Sequence, residues 1–187
     1  MDVVETSLQG VLLIKPKVYG DERGFFQETY SAERYQQAGI NERFIQDNHS
    51  RSSKGVLRGL HYQLKYPQGK LVSVVRGEVF DVAVDIRLGS PTFAQCYGVI
   101  LDDKHHHQLY IPPGFAHGFV VLSDRVDFVY KCTEYYHPED EMGLLWNDAN
   151  IGVEWPFSEP LLSDKDKKNP LLDELIQNNA LPEFVSQ

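Results

Sequence analysis

Two histidines in apolar stretches that contain glycine are the residues of this sequence best suited to chemistry. His61 lies within residues 58–63 (RGLHYQ), and His117 lies within residues 112–119 (PPGFAHGF). An imidazole can bind a metal ion, and because its ordinary pKa is about 6.5 it can also take up or release a proton near neutral pH. The two stretches therefore indicate either a metal site or a site of proton transfer.

Both histidines fall in segments with the character of β-strands, and such segments recur along the chain. Over residues 78–87 apolar and polar residues alternate, which places Asp81, Asp85 and Arg87 on the face opposite the apolar side chains. Many strands separated by Gly, Pro, Asp and Ser predict a β-sandwich or barrel, of which a jelly roll fits best. The further predicted strands are residues 11–16, 25–30, 43–49, 56–63, 70–76, 93–101, 107–111, 117–122 and 126–133.

Only two helices are predicted, and both are short. Ser31 is expected to cap the first, which ends at Gly39, and Pro170 is expected in the first turn of the second, over residues 171–177. Residues 1–6 and 182–187 are expected to be frayed ends. Residues 1–187 are predicted to form a single domain, because a chain of 187 residues can bury a sizeable core.

The composition limits the partners that this protein can have. A formal net charge of −9 argues against nucleic acid and anionic membranes, and a small anionic ligand would need a local cluster of Arg and Lys. No apolar run approaches the roughly 18 residues of a membrane span, and the N-terminus does not have the pattern of a signal peptide. Cys96 and Cys132 are expected to be reduced, so a cytoplasmic protein is predicted.

The two histidine stretches resemble the paired motifs of the cupin superfamily. The resemblance implies an all-β, cupin-type jelly-roll barrel with a few short peripheral helices. Metal-binding cupins carry His-x-His in the first motif, but Gln63 stands in place of the second histidine here, and Glu78 lies beyond the usual position of the motif's glutamate. The second motif, at residues 113–117, is intact. At most two ligands remain where a catalytic metal has about three, so no metal site is predicted.

Six motifs, in order along the chain, are similar to those of the dTDP-4-dehydrorhamnose 3,5-epimerase family. The resemblance implies an isomerase that inverts C3 and C5 of dTDP-4-dehydro-6-deoxy-D-glucose, through enolate intermediates, to give dTDP-4-dehydro-L-rhamnose for dTDP-L-rhamnose biosynthesis. It also implies a homodimer and no cofactor, and the sequence has no Gly-x-Gly-x-x-Gly dinucleotide fingerprint. The motifs are residues 21–28 (DERGFFQE), 46–50 (QDNHS), 58–63, 110–119, 129–133 (VYKCT) and 162–166 (LSDKD).

The implied reaction needs three functional groups. A proton next to a ketone is acidic because its removal gives an enolate, so the site must supply a base, a partner for the oxyanion and an acid on the opposite face. The resemblance assigns the base to His61, the acidic partner of this base to Asp166, and the acid to Tyr130. Strand parity places Tyr130 on the same face as Phe128 and Cys132.

The resemblance also implies a set of substrate-binding residues. Lys70 and His117 are candidates for the oxyanion. Arg23, Arg58 and Lys165 are candidates for the diphosphate, since a guanidinium binds phosphate in bidentate fashion. The remaining candidates, with Tyr136 expected to stack on thymine, are Glu28, Gln46, Asn48, Tyr136 and Glu141.

Two local features lead to geometric predictions. Strict alternation would place Arg58 and His61 on opposite faces, so both can reach one site only across a β-bulge, which is predicted at Gly59. The triplet at residues 105–107 (HHH) follows residues 102–104 (DDK) and is predicted to be a solvated hairpin turn rather than a metal site.

Three alternatives remain open on the sequence. They are an epimerase of one centre or a 3,4-ketoisomerase of a related dTDP-deoxysugar pathway, a metal-dependent cupin such as an oxygenase, and a nucleotide-sugar binding module without activity. Tyr130 favours the double epimerase over the first alternative, because completing the inversion at C5 requires an acid on the second face.

Overall fold

The computed structural model describes residues 1–185 and is built mainly from β-strands. It also has two short α-helices, α1 (Ala32–Gln37) and α2 (Leu172–Gln177), and a 3-10 turn at Asp166–Lys168. The strands are β1 (Asp2–Glu5), β2 (Leu12–Lys15), β3 (Val18–Asp21), β4 (Gly24–Gln27), β5 (Gln46–Ser53), β6 (Leu57–Gln63), β7 (Lys70–Arg76), β8 (Glu78–Asp85), β9 (Cys96–Asp102), β10 (Gln108–Ile111), β11 (Phe115–Val121), β12 (Arg125–Cys132) and β13 (Glu141–Gly143).

Two antiparallel sheets make up the barrel. The six-stranded sheet has the order β1-β2-β10-β7-β12-β5, and the five-stranded sheet has the order β13-β6-β11-β8-β9. The main core lies between them, where Val72 and Phe128 of the first sheet belong to the same buried cluster as Ala83 and Phe119 of the second. Strands β3 and β4 form a separate two-stranded hairpin.

Strand β8 is buried on both of its faces. Its apolar face, including Val82 and Val84, packs in a second cluster with Leu172 and Leu175 of α2. The opposite face therefore turns into the barrel, and it carries the fully buried Asp81. The alternation predicted for this segment is confirmed, and it places a carboxylate in the barrel interior.

The predicted bulge in β6 is confirmed. His61 pairs with His117 and Arg58 pairs with Phe119, so β6 has one residue more than β11 between these pairs. Gly59 lies at this irregularity with φ +127°, and a Cβ there would lie 2.6 Å from the Cα of Gly118. Only glycine fits both the conformation and the close approach of the two strands.

The chain ends are more ordered than the sequence indicates. Residues 2–5 pair with β2, so the frayed N-terminus was a wrong prediction. Near the other end, Leu88 N donates to Pro182 O at 2.8 Å and Phe184 N donates to Leu88 O at 2.9 Å, so residues 182–184 are also fixed. The prediction for Ser186 and Gln187 falls outside the described residues.

Several element boundaries differ from their predictions. The Ser31 side chain makes no capping bond to α1, and α2 begins after Leu171, so Pro170 precedes the helix. The histidine triplet lies in a turn between β9 and β10, but these strands belong to different sheets, so the turn does not close a hairpin. No helix within residues 1–185 is long and apolar enough to cross a membrane.

Candidate active site

A cavity of about 630 Å³ opens between the two sheets and collects most of the candidate residues. This volume lies in the range of small-molecule sites in proteins. All three candidate catalytic residues, His61, Tyr130 and Asp166, line it. The candidate binding residues that also line it are Gln46, Asn48, Arg58, Lys70, His117, Tyr136, Glu141 and Lys165.

His61 forms a short hydrogen bond with a buried carboxylate. Its Nε2 lies 2.6 Å from Oδ1 of Asp166, which is 4% exposed. Burial raises the pKa of Asp166, but hydrogen bonds from His61, from Ser163 and from the Gly59 backbone outweigh it and hold this pKa below its ordinary value. The carboxylate therefore stays ionised and fixes the ring, while Nδ1 of His61 has no hydrogen-bond partner within residues 1–185.

Tyr130 faces the cavity from the other sheet. It lies on β12, next to Phe128 on the same face, with ring centroids 6.0 Å apart, as strand parity predicts. Its hydroxyl makes no hydrogen bond with any other described residue, and burial raises its pKa above the ordinary value for tyrosine. Tyr130 is therefore a protonated phenol at neutral pH, free to bond to a ligand.

His117 is also paired with a carboxylate, which the sequence did not identify. Its Nε2 lies 2.9 Å and 3.1 Å from the two carboxylate oxygens of Asp81, and both side chains are buried. The alternation in β8 was the available signal, since it separates Asp81 from the apolar face. Because Asp81 occupies Nε2, only Nδ1 of His117 remains for a ligand.

Two cations in the cavity are not paired with carboxylates. Within the described chain, neither Lys70 nor Arg58 forms a salt bridge, and Arg58 Nε donates to Ser52 Oγ at 3.0 Å. Burial lowers the pKa of Lys70, while the carboxylates of Glu141 and Asp81 act in the opposite direction. Arg58 and Lys70 are therefore basic groups that no carboxylate pairs, and a local basic cluster is what an anionic ligand requires in a chain of net charge −9.

The mouth of the cavity carries an ion pair beneath an exposed tyrosine. Lys165 binds Glu141, and Tyr136 Oη donates to the same carboxylate at 3.0 Å. Burial raises the pKa of Glu141, but these two bonds outweigh it and keep the pKa below its ordinary value. Tyr136 is 49% exposed, so its ring is accessible to a flat ligand.

Polar side chains of β5 also line the cavity. Gln46 Nε2 donates to Asn48 Oδ1 at 3.1 Å. Ser50 Oγ, two residues further along the strand, is a buried hydroxyl without a partner among the described residues. Ser50 is therefore a further candidate contact for a ligand. Strand alternation does not reveal whether a hydroxyl has a hydrogen-bond partner, so the sequence did not identify it.

Arg23 and Glu28 do not line the cavity. Arg23 lies at the turn between β3 and β4 and pairs with Asp21, and Glu28 pairs with Arg34 at 3.0 Å. Phe25 and Phe26 of the same hairpin are 61% and 70% exposed. These two candidates therefore stand apart from the other binding residues.

Residues 1–185 contain no group of three or more His, Cys, Asp or Glu side chains arranged to hold a metal ion. In the histidine triplet, the rings of His105 and His107 are 5.5 Å apart. His105 Nδ1 is bonded to Asp102, which also accepts two backbone N–H groups of the turn. This carboxylate therefore stabilises the turn.

Comparison with known proteins connects the cavity with a family. The model of the dTDP-4-dehydrorhamnose 3,5-epimerase family matches residues 5–174. The enzyme of that name from Shigella flexneri is 57% identical over 168 residues, which cover 89% of this chain and 93% of the relative. The one from Escherichia coli K12 is 51% identical over 180 residues, 95% of this chain and 97% of the relative.

Solved structures agree with the sequence comparison. A dTDP-6-deoxy-D-glucose-3,5-epimerase from Legionella pneumophila, in complex with dTDP-4-keto-L-rhamnose, is 55% identical with a TM-score of 0.95, and the match covers 99% of each chain. ChmJ, a 3'-monoepimerase from Streptomyces bikiniensis in complex with dTDP-quinovose, is 34% identical with a TM-score of 0.90, covering 95% of this chain and 91% of that one.

Proposed function

This chain belongs to the dTDP-4-dehydrorhamnose 3,5-epimerase family, and we propose that His61, Asp166 and Tyr130 perform its reaction in the cavity between the sheets. It is an isomerase with a cupin-type jelly-roll fold. Its reaction converts dTDP-4-dehydro-6-deoxy-D-glucose into dTDP-4-dehydro-L-rhamnose in dTDP-L-rhamnose biosynthesis. The observation that carries the assignment of residues is the location of a carboxylate-bonded imidazole and a protonated phenol on facing sheets.

His61 acts as the base. With Nε2 bonded to Asp166, its Nδ1 takes the proton from the carbon next to the ketone, and the electron pair of the broken C–H bond moves to the ketone oxygen. Asp166 then stabilises the imidazolium that forms. The enolate oxygen receives its stabilisation from Lys70, which has no carboxylate partner in the described chain. His117 can donate to this oxygen through Nδ1 only as the imidazolium, because its Nε2 is bonded to Asp81.

Tyr130 acts as the acid. Inversion requires that the new proton arrives on the face opposite to the one that lost it. Because β6 and β12 belong to different sheets, a sugar ring between them has His61 on one side and Tyr130 on the other. Tyr130 gives its proton to C5 as the enolate collapses to the ketone, and exchange with water then reprotonates Tyr130 and deprotonates His61.

The nucleotide end lies toward the mouth of the cavity. Arg58 and Lys165 bind the diphosphate, because their basic side chains can pair with its negative charge. Thymine stacks on the exposed ring of Tyr136. Gln46, Asn48 and Glu141 supply hydrogen-bonding groups for the base and the sugar hydroxyls.

The protein functions as a homodimer of single-domain subunits in which the β3–β4 hairpin serves the neighbouring site. An isolated two-stranded hairpin is marginally stable, and this one exposes Phe25 and Phe26. Packing on a second subunit would cover these rings and bring Arg23 and Glu28 to the substrate of that subunit. The unpaired thiols Cys96 and Cys132 support a cytoplasmic location, and the net charge of −9 supports a protein without nucleic-acid partners.

A kinetic experiment on His61→Ala tests the roles in the site. We expect the turnover rate to fall about 10³-fold, because general base catalysis is lost, while the affinity for dTDP stays within about twofold. His49→Ala is the matched control, since His49 is an exposed histidine on β5 that does not line the cavity. A His61→Ala enzyme with wild-type turnover would exclude His61 as the base.

Epimerisation at one centre is the second candidate function. The observation that favours it is the 3'-monoepimerase with the same fold at a TM-score of 0.90. The identity to that protein is 34%, against 57% to the 3,5-epimerase of Shigella flexneri. The two candidates differ in whether hydrogen at C5 exchanges with solvent.

A further inference from the structure

The segment of residues 134–137 has no helical or strand structure, and it carries Tyr136, which lines the cavity. We propose that three glutamine side chains, Gln46, Gln63 and Gln68, form a clasp that fixes this segment and so positions Tyr136 for the nucleobase. This glutamine clasp rests on the nucleobase role proposed above for Tyr136. Gln63 and Gln68 would be positioning residues that act on nucleotide affinity through Tyr136.

Gln63 is the central member of the clasp. Its Nε2 donates to Tyr135 O at 3.1 Å, and its Oε1 accepts from His137 N at 2.8 Å, so it holds the residues on both sides of Tyr136. The same Nε2 also donates to Tyr66 O at 2.7 Å, which ties a second loop to the first. Gln63 is 4% exposed, so these bonds are shielded from competing water.

The other two glutamines complete the set from either side. Gln46 Oε1 accepts from the backbone N–H of Tyr136 at 3.0 Å, and Gln68 Nε2 donates to Glu134 O at 2.9 Å. Each of the four consecutive residues 134–137 therefore has a backbone group bonded to a glutamine. Gln46 lies on the six-stranded sheet and Gln63 on the five-stranded sheet, so the clasp connects the segment to both sheets.

The clasp matters because the segment has few other anchors. Within the described chain, residues 134–136 make no backbone-to-backbone hydrogen bond. The Tyr136 ring is half exposed, and its hydroxyl bond to Glu141 holds only the far end of the side chain. Where backbone groups are satisfied by side chains alone, loss of those side chains frees the loop locally without unfolding the barrel.

The contacts of Gln63 also explain the change in the first cupin motif. In this chain the residue that stands in place of the second cupin histidine directs its amide to three backbone groups of two loops. A histidine has two ring nitrogens and cannot supply two donors and an acceptor in this arrangement. We infer that the Gln at this position serves the nucleotide end of the cavity.

A double-mutant cycle on dTDP binding tests the clasp. Gln63→Met keeps the size of the side chain and adds no charge but removes all three hydrogen bonds. We expect it to weaken dTDP binding and raise KM about tenfold, with kcat changed less than about threefold, because the chemistry at His61 is untouched. In a Tyr136→Ala background, the same change should alter dTDP affinity less than about twofold, since the ring it positions is gone.

Gln108→Met is the matched control. Gln108 is a glutamine of equal burial, 5% exposed, and its Nε2 donates to a carbonyl of another loop, Thr29 O, at 2.9 Å. Its effect on dTDP affinity, whatever its size, should be the same in the Tyr136→Ala background as in the wild type. If Gln63→Met does not fold, Gln68→Met replaces it in the same double-mutant cycle. This variant removes only the bond to Glu134, so a smaller loss of dTDP affinity is expected.

The outcomes separate the clasp from the role of Tyr136. If Tyr136→Ala weakens dTDP binding and Gln63→Met does not, or if Gln63→Met has equal effects in both backgrounds, the clasp is wrong and the nucleobase role stands. If Tyr136→Ala leaves dTDP affinity unchanged, the nucleobase role is wrong, and the clasp proposal falls with it. If the effects of Gln63→Met and Tyr136→Ala on dTDP affinity are non-additive, while those of Gln108→Met and Tyr136→Ala are additive, the clasp and the nucleobase role of Tyr136 are both supported.

Discussion

Nε2 of His61 and Oδ1 of Asp166 lie 2.6 Å apart although the two residues are separated by 105 positions in the chain. The 3-10 turn that carries Asp166 packs against β6, which carries His61. The backbone of Gly59 in the bulge is one of the groups that hold the pKa of Asp166 below its ordinary value. The bulge thus serves two purposes. It turns Arg58 and His61 to one cavity and helps to fix the partner of His61.

Replacement of Asp166 by asparagine should impair catalysis with little effect on binding. The amide keeps the shape of the carboxylate but cannot stabilise an imidazolium, so we expect kcat to fall about 10²- to 10⁴-fold. Asp164→Asn is the control, because that carboxylate lies two residues earlier and is exposed to solvent. Wild-type kcat in Asp166→Asn would show that His61 does not depend on this partner.

Tyr130→Phe should block formation of the L-configured product while the protein remains folded. The hydroxyl has no partner in the described chain, so its removal should change Tm by less than about 2 °C. We expect the rate of L-product formation to fall at least about 10²-fold, because the proton for the second face is lost. Tyr62→Phe serves as the comparison, since Tyr62 also lines the cavity but its hydroxyl is bonded to Ala180 O at 2.7 Å. Unchanged L-product formation in Tyr130→Phe would assign the acid elsewhere.

Gly59→Ala should lower both stability and activity. A methyl group there would lie 2.6 Å from Gly118 Cα and 2.8 Å from His117 O, at a φ that alanine rarely adopts. We expect a loss of roughly 1–3 kcal/mol, seen as a lower Tm in thermal unfolding. Gly24→Ala is the control that separates backbone strain from steric crowding. Gly24 has a similar φ of +124°, but no atom lies within 4 Å of a Cβ added there. Equal Tm losses in the two variants would argue against crowding between β6 and β11.

The buried carboxylate of Asp85 should make stability sensitive to acid. Burial raises its pKa, but hydrogen bonds from Arg87, Ser90 and Thr92 outweigh this effect and lower the pKa below its ordinary value of about 3.9. A carboxyl group whose pKa is lower in the folded state stabilises the fold above its unfolded pKa, and this contribution is lost as the pH falls through the folded pKa. The wild type should therefore lose stability below about pH 4.

Asp85→Asn provides the comparison for this acid sensitivity. We expect the variant to be less stable than the wild type at pH 7 by roughly 3 kcal/mol, since Arg87 loses a buried partner. Its Tm should then decline less steeply than that of the wild type between about pH 4 and pH 3, because no carboxylate remains to be protonated. If Tm declines equally steeply in the wild type and in Asp85→Asn, Asp85 does not contribute to the loss of stability in acid.

Much of the barrel could be predicted from the sequence because its strands alternate or carry β-branched runs. The bulge at Gly59 followed from strand parity together with one glycine between two site residues. Strand β1 escaped prediction because its four residues are all exposed and its pairing with β2 depends on the backbone, which leaves no apolar pattern. Its two valines do not indicate that β2 is the neighbouring strand.

The site was less predictable where its residues meet across strands. Asp81 was separated from the apolar face correctly, but its bond to His117 depends on the neighbouring position of β8 and β11, which alternation does not encode. Gln63 stood out as a changed ligand position, yet its bonds reach backbone groups of distant loops, which leave no trace in the sequence. Arg23 belongs to a matching motif, but its hairpin does not line the cavity, and a motif does not say where a hairpin lies in the fold.

Deuterium uptake in heavy water tests directly whether His61 and Tyr130 transfer protons on both faces of one sugar. The wild type, incubated with dTDP-4-dehydro-6-deoxy-D-glucose, should yield dTDP-4-dehydro-L-rhamnose with deuterium at both C3 and C5, as read by proton NMR and mass spectrometry. His61→Ala should leave both positions unlabelled over the same period. Deuterium at C3 alone in the wild-type product would exclude proton transfer at C5 and with it the double inversion.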